Sequence, residues 1–149
     1  MSIIEVKRDP RHRAKLGVEG LAKLFEEWPH MEYCISECKN ILLPYSFLGH
    51  LILFILDMET RRVLILDPLP IPNSFKGIHP TMYYIHKIHY IANNVNLAME
   101  VVNPAWNDDI YVWRREVPTW VPKTENWDMT GFYVFEFMRT WDGTNVALD

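Results

Sequence analysis

The chain has 149 residues, 49% of them apolar and 13% aromatic, and a formal net charge of −4. That length suits one domain with a substantial core, so a disordered chain is excluded, and the mildly acidic balance gives no electrostatic reason to expect nucleic acid. The longest apolar run, Leu51 to Leu56, is far too short to cross a bilayer, so no membrane association is expected from it.

In chain order, residues 1–15 are polar and irregular. Their basic stretch "KRDPRHRAK" reads as a flexible, solvated tail preceding a single domain. Gly17 to Trp28 places Val18, Leu21, Leu24, Phe25 and Trp28 at helical spacing, and Pro29 stops the pattern. Tyr33 to Ile35 suggests a short strand. Cys34 and Cys38 lie four apart, with no zinc-ligand set around them. Two cysteines and seven methionines, with no signal peptide in view, point to a reducing compartment, cytoplasm or nucleus.

Asn40 to Leu43 reads as a strand ended by Pro44. His50 to Asp57 ("HLILFILD") and Arg62 to Asp67 ("RVLILD") are continuous apolar runs separated by a hairpin-type turn, which predicts neighbouring strands buried on both faces. Pro68, Pro70 and Pro72 stop regular structure. Pro80 to Val102 has apolar residues close to a 3.6 period, a long amphipathic helix that Pro104 ends. His86 and His89 lie three apart on it, but no matching acidic or thiol ligand accompanies them, and no metal or other cofactor is expected. Ile110 to Val117 suggests another strand. Asp128 is the expected N-cap of a last helix, Met129 to Thr140, apolar almost all round and therefore expected to be central and buried. The class is α+β: a small mixed sheet with helices packed on its faces.

A thiol protease needs a thiolate, an imidazole to take its proton, a carboxylate to orient the imidazole and donors for the oxyanion. A helix N-terminus lowers the pKa of a cysteine placed there. Here His50 opens one apolar strand in "NILLPYSFLGHLILFILD", Asp67 ends the next in "VLILDPLP", and "TENWDMTGFYVFEFM" begins an apolar helix. These segments resemble the ubiquitin-like-protein-specific (SUMO or sentrin) cysteine proteases, which have a papain- or adenain-like fold. The resemblance runs from about Cys38 to Gly143. In that family a His-Trp opens the first strand, the next ends in Leu-Asp-Ser, and Gln-x-Asn-Gly-x-Asp-Cys-Gly starts the helix. Aligned on Gly131, Thr130 takes the Cys place, Met129 the preceding Asp place, Asn126 the Asn place and Thr124 the place of the oxyanion-hole Gln. The sequence Trp141-Asp142-Gly143 is similar to the end of that helix in plant members, many of them transposon-associated.

The departures from this pattern set the expected function. An alcohol has a pKa far above that of a thiol, so the helix dipole cannot make Thr130 an alkoxide near neutrality. Thr124 is too short to act as Gln does, and losing one oxyanion donor alone costs about 10²–10³-fold in turnover. Leu51 stands where the resemblance implies the channel Trp. Of the catalytic apparatus only His50 and Asp67 remain, as relics. Family domains usually carry more helix on both sides of this core, so a shortened version is implied. The expectation is a catalytically inactive, protease-like protein that acts by binding another protein, as inhibitor, antidote-like antagonist or adaptor. The partner would be a related longer protein or a host factor. A residual hydrolase and a binder of ubiquitin-like modifiers are the alternatives. The anchors expected for a partner are Trp106, Tyr111, Trp113, Arg114, Arg115 and Trp120, because exposed aromatics beside arginines are favoured at interfaces.

Overall fold

A computed structural model describes residues 39–148 of the chain. The helix expected over Gly17 to Trp28, the strand over Tyr33 to Ile35, the polar tail and both cysteines lie outside the described residues.

Three strands follow one another: β1 (Asn40–Phe47), β2 (His50–Asp57) and β3 (Arg62–Leu66). β1 and β2 pair antiparallel from Asn40↔Asp57 to Phe47↔His50. Only Leu48 and Gly49 remain for the turn, and both have positive φ, 49° and 88°. This is the primed geometry that matches strand twist in two-residue hairpins. β2 and β3 pair antiparallel from Leu53↔Leu66 to Asp57↔Arg62. The Asp57 carboxylate accepts the Glu59 and Thr60 amides, both at 3.1 Å, which closes that turn. β1 continues through Pro44 instead of ending there. It is an edge strand in the order β1-β2-β3-β4, where a missing N–H leaves no ladder bond unmade.

After Asp67 the chain leaves the sheet. A 3₁₀ turn at Pro80–Tyr84 leads into α1 (Ile85–Val102), so the expected helix starts one turn late as an α-helix. Pro80 sits at the first position of that turn, and the His79 imidazole accepts the Thr81 amide at 3.3 Å. The strand expected over Ile110 to Val117 is a 3₁₀ turn at Ile110–Val112 followed by the short β4 (Arg114–Glu116), parallel to β3. Asp109 caps this turn by accepting the Tyr111 amide, a local bond that competes with extended structure. α2 (Thr130–Thr140) follows another 3₁₀ turn at Trp127–Met129.

The double-sided apolarity of β2 and β3 sorts by alternation. Ile52, Phe54, Leu56, Val63 and Ile65 face one core with Ile88, Ile91, Val95 and Met99 of α1. Leu53, Ile55, Leu64 and Leu66 face a second core with Val134 and Phe137 of α2. Each such fully buried side chain contributes about 1.5–3 kcal/mol, so both helices are held by burial more than by propensity. α2 is not wrapped on all sides, as its composition suggests. Thr130, Val134 and Phe137 are buried, whereas Phe132 and Phe135 are each 52% exposed. One stripe packs on β2, and among the described residues nothing covers the other.

Candidate functional site

The hairpin geometry puts His50 at the mouth of β2, and alternation points it to the same face as Ile52 and Phe54. Asp67 follows β3 by one residue and shares the face of Val63 and Ile65. The two therefore meet: His50 Nε2 lies 2.9 Å from Asp67 Oδ1, with both side chains almost wholly buried. The same oxygen accepts the Leu69 amide at 2.9 Å, and Oδ2 accepts the Tyr84 hydroxyl at 2.6 Å. Burial, with the Asp67 carboxylate beside it, pushes the Tyr84 phenol far above its usual range, so it stays a donor. The backbone oxygen of Asp67 accepts Lys123 Nζ at 2.7 Å. Asp67 is thus fixed at its carboxylate and at its carbonyl.

With Nε2 facing the carboxylate, Nδ1 of His50 is the nitrogen left for a proton in flight. It is buried and has no hydrogen-bond partner among the described residues. Aromatic rings pack around the imidazole: Phe47 at 6.0 Å and Trp127 at 5.0 Å between ring centroids, both edge to face. Trp127 is tied down, since its Nε1 donates to the Gly49 carbonyl at 3.2 Å. A Cβ built on Gly49 would stand 3.4 Å from the indole, at a φ that side chains rarely adopt. Glycine at 49 thus serves both the turn and the close approach of the ring.

Thr130 is the first residue of α2 and is buried, and its hydroxyl donates to the Trp127 carbonyl at 3.1 Å. It makes no hydrogen bond to His50. Thr124 is held through its amide, which donates to the Pro68 carbonyl at 2.7 Å, and its hydroxyl accepts the Asn126 amide at 3.0 Å. Asn126, not Asp128, caps the turn before α2, by accepting the Asp128 amide at 3.0 Å. Met129 is 39% exposed.

A buried His–Asp pair is thus in place, with the turn that leads into α2 packed on its imidazole through Trp127. Solved structures that this chain resembles in fold include SUMO proteases. The SUMO protease Ulp1 with its catalytic cysteine oxidised to a sulfinic acid superposes with a TM-score of 0.53 at 15% identity, over 81% of this chain and 48% of that one. The sulfenic acid form gives 0.50 at 15% identity, over 77% and 47%. The C-terminal Ulp1 protease domain in complex with Smt3, the yeast ortholog of SUMO, gives 0.50 at 15% identity, over 82% and 49%. The fold is that of the Ulp1 protease domain. The chain spans about half the length of those solved chains. No protein-family model matches the sequence, and no curated protein matches it.

On this Ulp1-like frame the residues expected to anchor a partner do not form one surface. Trp113 is a core residue, 5% exposed, with its indole N–H donating to Asp108 at 3.0 Å, so it is corrected from surface to interior. Its position just before β4 turns it under α1 into the first core. Trp106 is half-buried against the same core, and its Nε1 has no partner among the described residues. Tyr111 and Trp120 are exposed. Tyr111 lies against His89 at 5.4 Å, and Trp120 stacks on Trp141 at 6.5 Å. Arg114 pairs with Glu116 at 3.1 Å, and Arg115 donates to the Tyr111 carbonyl.

Three functional residues escape the sequence reading. Tyr84 lies in a helical pattern where nothing marks it as the third partner of Asp67. Lys123 looks like one more surface cation. Trp127 carried a signal, because it occupies the place of the Gly in the Gln-x-Asn-Gly-x-Asp-Cys-Gly pattern, and an indole there must go somewhere. Among the described residues no cluster of three or more metal-ligating side chains occurs, and no helix is long and apolar enough to cross a membrane.

Proposed function

We propose that this is a catalytically inactive SUMO-protease-like protein that works by binding another protein. The observation that carries the reading is the packing of Trp127 on His50, together with the hydroxyl of Thr130 committed to the Trp127 carbonyl. A nucleophile must reach the free nitrogen of the imidazole, and a scissile carbonyl must follow it to within about 3–3.5 Å. An indole lies against that imidazole, and the side chain at the helix start is an alcohol with its proton turned away. Thr124 adds no long amide donor for an oxyanion. The intact His50–Asp67–Tyr84 network is then a rigid structural relic that closes the end of the sheet.

The partner is a protein, either a related longer chain or a host factor, met in the cytoplasm or nucleus. The second reading, a binder of ubiquitin-like modifiers, is favoured by one observation: a solved Ulp1 domain of this fold is in complex with Smt3. Leu51 in place of the channel Trp argues against the modifier's tail being held as a substrate is held.

The test is incubation with fluorogenic SUMO and ubiquitin precursors and with conjugates, at high protein concentration. Turnover should equal that of buffer. Turnover that vanishes in a His50→Ala variant overturns inactivity, and saturable calorimetric binding of the intact modifier selects the second reading.

A further inference from the structure

The loops after β3 and β4 enclose an open cleft of about 450 Å³, with Lys123, which donates to the Asp67 carbonyl, in its lining. Its walls are apolar: Pro70, Ile71, Phe75 and Ile78 from one loop, Val117 and Pro118 from the other. Its only charged lining residues are two cations, Lys76 and Lys123, with no carboxylate among them. Lys76 forms no ion pair among the described residues. Lys123 is bound by neutral groups, the carbonyls of Asp67 at 2.7 Å and Leu69 at 3.2 Å. An ammonium has three N–H donors, so one remains. The nearby Asp67 carboxylate is already committed to His50, Tyr84 and the Leu69 amide. Partial burial lowers the pKa of Lys123, and the attraction of Asp67 only partly offsets this, while the residue stays open to solvent on its cleft side.

We propose that this cleft binds an apolar group ending in a single carboxylate, with the apolar body on the proline, isoleucine and phenylalanine wall and the carboxylate on Lys123, assisted by Lys76. The wall suits an alkyl or aryl chain, and one free donor plus a second, exposed ammonium suits a monoanion more than a phosphate dianion. The source of that chemistry is either a free aliphatic acid or the C-terminus of an apolar peptide. Neither needs the dyad, so the assignment stands or falls apart from catalytic inactivity.

The experiment is an amide NMR titration of the whole chain with octanoate, 1-octanol and octylamine, and with acetyl-Leu-Leu as its free acid and as its C-terminal amide. Octanoate should cause saturable shifts at Ile78, Val117, Thr119 and Lys123. Octanol, which lacks the charge-assisted bond, should bind about tenfold more weakly, and octylamine should not bind. The dipeptide acid binding more tightly than octanoate assigns the peptide source, and the reverse assigns the free acid. Lys76→Ala and Ile78→Glu, both at exposed positions, should weaken octanoate while leaving the melting temperature unchanged. Equal binding of octanol and octanoate, or shifts that spread over the surface without saturating, would overturn the proposal.

Discussion

The indole of Trp127 and the imidazole of His50 lie 5.0 Å apart edge to face, and the indole N–H is held by the carbonyl of Gly49, the residue that immediately precedes His50. The ring is therefore fixed to the same turn that positions the histidine. Any motion that frees the imidazole must break a hydrogen bond and an aromatic contact together, worth about 1–3 kcal/mol in combination. Trp127→Ala should expose the imidazole. Reaction of His50 with diethyl pyrocarbonate, mapped by mass spectrometry, should accelerate severalfold over the wild-type chain, while His86 and His89, already exposed, should react as before. An unchanged rate at His50 would show that other groups shield it.

A thiol restored at the helix start should not restore chemistry by itself. Thr130→Cys should give a thiol that iodoacetamide alkylates slowly, because the position is buried and next to the turn that carries Trp127. Adding Trp127→Ala should speed alkylation and make it depend on His50. Rapid alkylation of the single variant would contradict the account of Trp127 as the cover.

Tyr84→Phe should cost about 1–3 kcal/mol of unfolding free energy, measured by denaturant titration, because it strands Oδ2 of a buried carboxylate without its donor. A loss below about 0.5 kcal/mol would mean that Asp67 finds a substitute partner, since surface-like changes stay within that range.

Asp57 should govern part of the acid limb of stability. Burial alone would raise its carboxyl, but the hydrogen bonds from Thr60, Arg62 and the Glu59 amide outweigh it and hold the pKa below the ordinary 3.8. A group depressed in the folded state contributes stability that is complete above its unfolded pKa and is lost as pH falls through the folded value. Thermal melts of Asp57→Asn should therefore be less stable than wild type at neutral pH, with the gap closing as pH drops below about 3.8. A gap constant down to pH 2 would refute the assignment.

The surface and interior aromatics should separate cleanly. Trp113→Ala should cost about 3–5 kcal/mol of stability, as removal of a large core side chain does. Trp120→Ala and Tyr111→Ala should leave the melting temperature nearly unchanged and, if they lie at the partner interface, weaken binding by about 1–2 kcal/mol or more each by calorimetry. Partner binding unaffected by either, but lost in Thr130→Ala, would move the interface to the helix start.

Some of this protein was legible in its sequence. Two continuous apolar runs separated by a short turn can only be strands buried on both faces, and β2 and β3 are that. The 3.6 period fixed α1, because apolar spacing reports a helix face directly. His50 and Asp67 could be paired because each sits where an apolar run begins or ends, and strand alternation then carries both to one face. Pro44 misled because its effect depends on whether the strand is central or at an edge, which the order of strands decides. The exposure of Phe132 and Phe135 misled for a related reason: composition says that a residue prefers to be buried, but only the neighbours say whether anything covers it. Tyr84, Trp127 and Lys123 reach the dyad from segments 17, 77 and 56 residues away from the groups they touch, His50 with Trp127 and Asp67 with the other two. Local sequence determined the strands, the helices and the two polar residues at the strand ends. Which aromatic ring covers the histidine, which hydroxyl holds the aspartate and which tryptophan goes inside were decided by tertiary packing, because contacts between distant segments depend on how whole elements stack and leave no period in the chain.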